Sequence, residues 1–267
     1  MQVTERFIEL DTYRARVLEA GEGTPTLCLH GVNFTNSAEL WLQPMRAGLA
    51  RKARLIAIDN LGWGPGPRPE WDPNFSFFVD HLRQVQDALG YQQTNVIGHS
   101  FGGWLASLLA YESPERVGKL VLSDSGGMSP VAPDNVSQFE PPTRESLKKY
   151  LEGIYSEPAD VAEQLEYQWR NATSPQAVDY FRRMSRTLQD PVVRRHYHLA
   201  RRLPKIKAAT LVIFGADAPA PFTAEVGRRM AATIPDARFV AIAGAGHLTP
   251  YQKTQEYVRE VAAFLAD

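Results

Sequence analysis

The chain has 267 residues, 44% hydrophobic and 22% charged, which is enough apolar material to bury one sizeable core. Its formal net charge of −1 gives no reason to expect nucleic acid or an anionic membrane surface as a partner. No apolar run approaches the ~20 residues of a membrane-spanning helix, and no basic-then-apolar leader opens the sequence. The single cysteine, Cys28, excludes an internal disulfide and is expected to pack inside a strand. These features predict a cytoplasmic globular protein, and they are compatible with a monomer or a homo-oligomer.

Short apolar runs alternate with segments of helical periodicity, which predicts an α/β fold with a mostly parallel sheet flanked by helices. Residues 7–10 and 14–20 are predicted to form an antiparallel hairpin. Helical spacing covers residues 80–89 and 254–265. The remaining predicted strands, which complete an eight-stranded sheet, lie at residues 26–30, 54–59, 94–97, 119–123, 210–214 and 238–242.

The interval between the strands ending at 123 and starting at 210 contains helix start signals but no convincing strand. The start signals are Thr143 before Arg144, Glu157 before Pro158, and Ser174 before Pro175. We therefore predict a helical cap over residues 130–205, inserted into a core domain formed by residues 1–129 and 206–267. The cap would lie over the carboxyl ends of the strands, where open α/β sheets bind ligands.

The pentapeptide Gly98-His99-Ser100-Phe101-Gly102 falls between a predicted strand and a predicted helix. A serine flanked by glycines at such a turn is the arrangement of a nucleophile elbow. The glycines permit a sharp turn, and the following helix directs its first amides towards developing negative charge. The alternative is a tight, glycine-lined turn without chemistry. The pattern favours Ser100 as a nucleophile.

A serine nucleophile needs a general base and an oxyanion hole. His247 follows the last predicted strand in the glycine-framed loop Gly244-Ala245-Gly246, which places it at the carboxyl edge of the sheet. We predict that it is the base, the alternative being a surface-loop histidine. The backbone amides of Val32 and Phe101 are predicted to form the oxyanion hole.

With these motifs in view, the chain resembles the α/β-hydrolase fold family over essentially its whole length. The matching segments are His30-Gly31, residues 59–64, residues 98–103, the cap insertion and Gly246-His247. The resemblance implies a serine–acid–histidine triad with the acid at position 218, after the strand that ends near 214. The chain has Ala218 at that position.

Three explanations for the acid remain open. The carboxylate at 218 has been lost, in nature or by engineering; or the loop is re-registered so that the neighbouring Asp217 reaches His247; or Asp124, after an earlier strand, supplies it. The third arrangement is similar to that of some haloalkane dehalogenases and cofactor-independent dioxygenases of this fold. A chain without any orienting acid would be nearly inert, since that loss costs ~10⁴ in turnover in serine proteases.

A weaker resemblance is to the meta-cleavage-product hydrolases, which split carbon–carbon bonds in ring-fission products. It rests on residues 142–147 and on Ser125-Gly126-Gly127. The chain departs from those enzymes in carrying His99 in place of asparagine and Leu248 in place of tryptophan.

The sequence thus predicts a serine hydrolase that cleaves an ester, a lactone or an activated carbonyl–carbon bond in a small substrate. Nine Arg and Lys residues against one acid in residues 181–207 would favour an anionic substrate if any point into the pocket, although a solvated helix face explains most such runs. No cofactor is expected, and no histidines show metal-ligand spacing. Two alternatives are a cofactor-independent lyase or oxygenase with His247 and Asp124 as base pair, and a disabled hydrolase that only binds ligand.

Overall fold

In the computed structural model, which describes residues 2–66 and 68–267, eight strands form one sheet in the order β1-β2-β4-β3-β5-β6-β7-β8. β2 is antiparallel to both of its neighbours, and all other pairs are parallel. The strands are β1 Thr4–Glu9, β2 Arg14–Ala20, β3 Pro25–Leu29, β4 Arg54–Ile58, β5 Thr94–His99, β6 Val117–Ser123, β7 Ala209–Gly215 and β8 Ala237–Ile242. The predicted α/β-hydrolase fold with a mostly parallel sheet is confirmed.

The central strands are short apolar runs because helices cover both of their faces. β5, for example, has no exposed residue over its whole length. The helices are α1 Leu42–Arg46, α2 Phe75–Ala88, α3 Phe101–Glu112, α4 Asp134–Ser137, α5 Arg144–Glu152, α6 Pro158–Ala172, α7 Ala177–Gln189, α8 Pro191–Tyr197, α9 Ala224–Thr233, α10 Thr249–Gln252 and α11 Thr254–Ala266. One face of the sheet packs on α2, α3 and α9, and the other packs on α1 and α11. Among the described helices, none is both long and apolar enough to cross a membrane.

Helices α4 to α8 all fall between β6 and β7, in the interval where the sequence predicts a cap. Thr143 caps α5 by accepting a hydrogen bond from the Ser146 amide, and Pro158 occupies the first turn of α6, as the start signals predict. α7 begins at Ala177, two residues beyond the predicted Ser174-Pro175 start. The division into a core (1–129 and 206–267) and a separate cap domain (130–205) stays a prediction.

Helix α6 is docked on the core through polar side chains rather than through an apolar face alone. The Asn171 Nδ2 donates to the Thr35 carbonyl at 3.0 Å, and the Gln168 Oε1 accepts from the Thr35 hydroxyl at 2.6 Å. The Arg170 guanidinium contacts the buried carboxylate of Glu39 at 2.7 Å. These contacts fix the loop after β3 against the inserted helices.

Candidate active site

Ser100 lies in a strained turn between β5 and α3. Its backbone angles, φ 55° and ψ −114°, lie outside the regions that residues other than glycine favour. This conformation costs about 1–3 kcal/mol of conformational free energy. The turn is held by its surroundings: the Ser100 amide donates to the Ser123 carbonyl, and the Ser100 carbonyl accepts from the Gly126 amide, both at 2.9 Å. The strand–turn–helix context predicted for this serine is therefore present.

The glycines around Ser100 are sterically required. A Cβ atom at Gly98 would lie 2.3 Å from the Gly102 carbonyl oxygen, and one at Gly102 would lie 2.4 Å from the Leu29 carbonyl oxygen. Both distances are far below van der Waals contact with backbone atoms that cannot move independently. The turn can form only because β5, α3 and β3 approach one another through glycine.

His247 lies in the loop between β8 and α10, and its Nε2 is 3.0 Å from the Ser100 Oγ. The Phe222 ring stacks on the imidazole, with 3.7 Å between the ring centroids and 25° between the planes. Burial, together with the neighbouring His99, lowers the pKa of His247 well below its usual value. The imidazole is therefore neutral at neutral pH, and its Nε2 can accept the serine proton.

The two predicted oxyanion-hole residues, Val32 and Phe101, line a small pocket together with Ser100. Val32 follows β3, and Phe101 is the first residue of α3. In the part of the chain that the structure describes, neither backbone amide donates a hydrogen bond to another protein group. Two free amides beside a nucleophile are what stabilisation of an oxyanion requires.

The loop after β7 does not bring Asp217 to the histidine. The Asp217 amide donates to the Ala245 carbonyl at 2.9 Å, while its side chain is exposed and makes no hydrogen bond or ion pair within the described residues. The re-registered loop considered from the sequence is therefore not the arrangement observed. Ala218 is buried, with 7% of its surface exposed. The Nδ1 of His247 is also buried, and no described group forms a hydrogen bond with it.

Asp124 directly follows β6, and its carboxylate accepts hydrogen bonds from backbone and hydroxyl donors. Its Oδ1 accepts from the Gly215 amide at 2.9 Å and from the Thr249 hydroxyl at 3.0 Å, and its Oδ2 accepts from the Thr249 amide at 3.1 Å. Burial raises the pKa of Asp124 to about 7, and these hydrogen bonds act in the opposite direction. No hydrogen bond or ion pair joins it to His247 among the described residues. Asp124 thus ties the ends of β6 and β7 to the segment that follows the histidine.

His99, which sits directly before the nucleophile, buttresses the same loop. Its Nε2 donates to the His247 carbonyl oxygen at 2.9 Å, since a carbonyl can only accept. Burial lowers the pKa of His99 to about 4, so this ring is neutral. Nitrogen and oxygen atoms of His99, Asp124 and His247 lie within 4.8 Å of one another. His99 and Asp124 therefore both form hydrogen bonds with the backbone of the segment that carries His247.

Ser100 and His247 open into a cavity of about 410 Å³ between the sheet edge and the inserted helices. Tyr150 of α5 and Tyr155 of the turn that follows it line this cavity. Tyr180 and Phe181, by contrast, pack in the core. Within the described residues, no Asp, Glu, Lys or Arg side chain lines this cavity.

One part of the site was not anticipated from the sequence. The loop between β3 and α1 carries the Val32 amide. Gln168 and Asn171 of α6 form hydrogen bonds with Thr35 of this loop. Gln168 also lines the cavity. The only sequence signal for this contact is a run of polar residues at one-turn spacing in α6, which by itself is equally typical of a solvated face.

A family model described as "alpha/beta hydrolase fold" matches residues 24–254 of the chain. The chain therefore belongs to the α/β-hydrolase fold family, and the prediction of a hydrolase of that family is confirmed.

Among its relatives is the 2-hydroxymuconate semialdehyde hydrolase of Pseudomonas putida, 32% identical over 96% of this chain and 92% of the relative. The 2-hydroxy-6-oxononadienedioate/2-hydroxy-6-oxononatrienedioate hydrolase of Paraburkholderia xenovorans is 30% identical over 93% and 89% of the two chains. The solved meta-cleavage product hydrolase CumD of Pseudomonas fluorescens, a mutant complexed with acetates, superposes with a TM-score of 0.83 and 25% identity over 97% and 96%. The resemblance to meta-cleavage-product hydrolases noted in the sequence is thus confirmed.

Proposed function

We propose that the protein is a serine hydrolase that cleaves a bond to an activated carbonyl carbon in a small organic substrate. The observation that carries the proposal is the 3.0 Å contact between the Ser100 Oγ and the His247 Nε2. Nucleophile and base lie within hydrogen-bond distance, and two free amides lie beside the nucleophile.

Ser100 attacks the substrate carbonyl while its proton passes to the His247 Nε2. The amides of Val32 and Phe101 donate hydrogen bonds to the oxygen that becomes negative. The bond to the leaving group then breaks, and His247 returns the proton to the departing oxygen or carbon. Water, deprotonated by the same imidazole, releases the acyl group and restores Ser100.

The relatives indicate which bond is cleaved. The two relatives from Pseudomonas putida and Paraburkholderia xenovorans are hydrolases of semialdehyde and dienedioate compounds, and CumD is a meta-cleavage product hydrolase. We therefore favour hydrolysis of a carbon–carbon bond next to a ketone, with esters and lactones as substrates of the same mechanism. The cavity of about 410 Å³ suits a small substrate of this kind.

The alternative of a lyase or oxygenase with a His247–Asp124 base pair has less support. That mechanism needs the carboxylate to reach the imidazole, whereas both Asp124 oxygens are occupied by donors from Gly215 and Thr249. It also makes no use of the strained turn that presents Ser100.

A fluorophosphonate that reacts with activated serines tests the proposal. We expect one adduct at Ser100 in the native protein, no adduct in Ser100→Ala, and an unchanged adduct in Ser107→Ala. Ser107 is a matched control because it lies in the same helix with its hydroxyl bonded to the Gly103 carbonyl. Turnover of a short p-nitrophenyl ester should fall by about 10²-fold or more in Ser100→Ala. Full activity in Ser100→Ala, with loss in His247→Ala, would instead identify the lyase or oxygenase mechanism.

A further inference from the structure

Helix α6 contributes one side chain, the carboxamide of Gln168, to the lining of the cavity of about 410 Å³. Gln168 is buried, with 2% of its surface exposed, and it follows the apolar Val161 and Leu165 at helical spacing. Those two residues pack with Tyr155 and Tyr251 in an apolar cluster that borders the cavity. A buried polar side chain beside an apolar surface calls for a specific explanation.

The loop after β3 holds the Gln168 carboxamide in one orientation. Its Oε1 accepts a hydrogen bond from the Thr35 hydroxyl at 2.6 Å. Because Thr35 occupies the oxygen of the carboxamide, the Nε2 is the polar atom that remains for the cavity. In the part of the chain that the structure describes, no protein group accepts a hydrogen bond from this nitrogen.

Gln164, one turn earlier in the same helix, is equally buried but has an acceptor for its nitrogen. Its Nε2 donates to the Glu39 carbonyl at 3.1 Å, and the residue lines neither of the two pockets that contain Ser100. Buried side-chain donors in proteins nearly always have an acceptor. The acceptor for Gln168 must therefore come from the molecule that occupies the cavity.

We propose that Gln168 is a specificity-determining residue whose Nε2 donates a hydrogen bond to an uncharged oxygen of the substrate, that of a ketone, a hydroxyl or an ether. The inference rests on the proposed hydrolase function and deepens it, since it gives the substrate an acceptor in the part that lies against α6. A neutral acceptor matches the cavity, because its described lining carries no formal charge. A substrate without this oxygen would leave the Nε2 without an acceptor, and the enzyme would discriminate against it.

The contact with Thr35 gives Gln168 a structural role as well, because Thr35 belongs to the loop that carries the Val32 amide. Two variants separate the structural role from the proposed one. Gln168→Glu keeps an oxygen that accepts from Thr35 but lacks the Nε2 donor, whereas Gln168→Met lacks both groups at similar volume. Gln164→Met is the matched control, since it removes an equally buried carboxamide of α6 that does not line the cavity.

The test compares two pairs of esters that differ by one ketone oxygen. In the first pair, 4-nitrophenyl 4-oxopentanoate and 4-nitrophenyl pentanoate, the ketone lies on the acyl part. In the second, 4-acetylphenyl pentanoate and 4-ethylphenyl pentanoate, it lies on the leaving group. The measured quantity is the ratio of kcat/KM within each pair, because the intrinsic reactivity of the esters then cancels between the native enzyme and a variant.

We expect the ratio in at least one pair to fall by about tenfold in Gln168→Met and in Gln168→Glu, the effect of one hydrogen bond. Gln164→Met should leave both ratios unchanged. Melting temperatures show whether each variant folds. Ratios that stay unchanged in Gln168→Met for both pairs, in an enzyme that hydrolyses the esters through Ser100, would overturn the inference and leave the proposed function intact. Recovery of the native ratio in Gln168→Glu would limit Gln168 to holding Thr35, and would overturn the inference as well.

If the native protein turns over no ester, the proposed function fails, and calorimetry of the first pair with Ser100→Ala decides about the acceptor site. Tighter binding of the 4-oxopentanoate ester, with the difference lost in the Ser100→Ala/Gln168→Met double variant, supports the site. Equal binding of the two esters, or binding of neither, rejects it.

Discussion

The loops that follow β5 and β7 both lie at the carboxyl edge of the sheet, but they differ in the side chains that they bring to the site. The β5 loop carries a serine with a φ of 55°, held by hydrogen bonds at both its amide and its carbonyl. The β7 loop, where the family resemblance places the acid, has Ala218 and an exposed Asp217. What it presents to the histidine is the ring of Phe222.

The difference between the two loops separates two requirements of the reaction. The nucleophile Ser100 and its base His247 are within hydrogen-bond distance. The backbone of Ser100 also carries a strain of about 1–3 kcal/mol, which a purely structural turn would not need. The carboxylate that would fix the imidazole tautomer has no counterpart bonded to the His247 Nδ1 within the described residues. Position of the imidazole is instead maintained indirectly, by His99 and Asp124 acting on the backbone around it.

Restoring a carboxylate to the β7 loop should have the largest effect. We expect Ala218→Asp to raise kcat/KM for a short p-nitrophenyl ester by about 10²-fold or more, because an orienting acid is worth ~10⁴ in serine proteases. Steady-state kinetics of the two proteins measure the change. Ala216→Asp is the control, since it adds the same charge to an exposed position of the same loop.

Equal activity in the parent and in Ala218→Asp would show that another group already orients His247. In that case the absence of a carboxylate from the β7 loop would not limit the activity. Ligand binding without turnover or phosphonate labelling in either protein would point to a scaffold that only binds.

The fold was largely predictable because the strands can be recognised in the sequence as short apolar runs. All eight were predicted, with ends within three residues of those observed. α2 was predicted five residues too short at its start, at 80 instead of Phe75. Its first turn is rich in aromatic residues of modest helix propensity, and the start is instead determined by the Asn74 cap, which accepts from the Phe77 amide.

For the site, local motifs predicted the residues whose role depends on a turn. Ser100 and His247 fall in glycine-framed loops, and the structure brings them within hydrogen-bond distance. The contacts of Asp124, Phe222 and Gln168 could not be predicted in this way, because each depends on how segments far apart in sequence pack together. The direction of the Asp217 side chain could not be predicted either. A shift of one residue along an extended segment turns a side chain to the opposite side, so it decides whether this carboxylate faces solvent or His247.

A second test concerns the indirect support of His247. Asp124→Asn replaces one carboxylate oxygen by an NH₂ group, so one of the amide donors of Gly215 and Thr249 loses its acceptor. We expect the His247 loop to shift and kcat to fall by about tenfold or more, because small misplacements of catalytic groups are costly. Kinetics at saturating ester measure the fall, and Asp217→Asn, at an exposed site, should leave kcat unchanged. An unchanged kcat in Asp124→Asn would mean that the loop holds its position without this carboxylate.

The same carboxylate makes a further prediction about stability. Since burial raises the folded-state pKa of Asp124 to about 7, the folded protein holds this proton more tightly than the unfolded chain. The contribution of the group to the free energy of unfolding is therefore present below its ordinary pKa of about 3.9 and is lost as the pH rises through about 7. Urea unfolding between pH 4 and pH 8 should show native stability falling relative to Asp124→Asn. A constant difference across this range would contradict the expectation.

The smallest expected effect concerns Phe222, the residue that the β7 loop places on the histidine. Burial lowers the pKa of His247, and the stacked ring at 3.7 Å is part of what excludes water from the imidazole. The base must be neutral, so activity is lost as the pH falls through this pKa, and the acidic limb of the kcat/KM profile should lie below the usual histidine value of about 6.5. Phe222→Ala should move that limb upwards, towards the ordinary value, because water reaches the ring. Phe239→Ala serves as the control, since this ring packs beside α9, against Gly227, and away from the site. If the limb stays in place in Phe222→Ala, then the low pKa is set by His99 and the surrounding backbone, and the aromatic side chain of the β7 loop has no part in tuning the base.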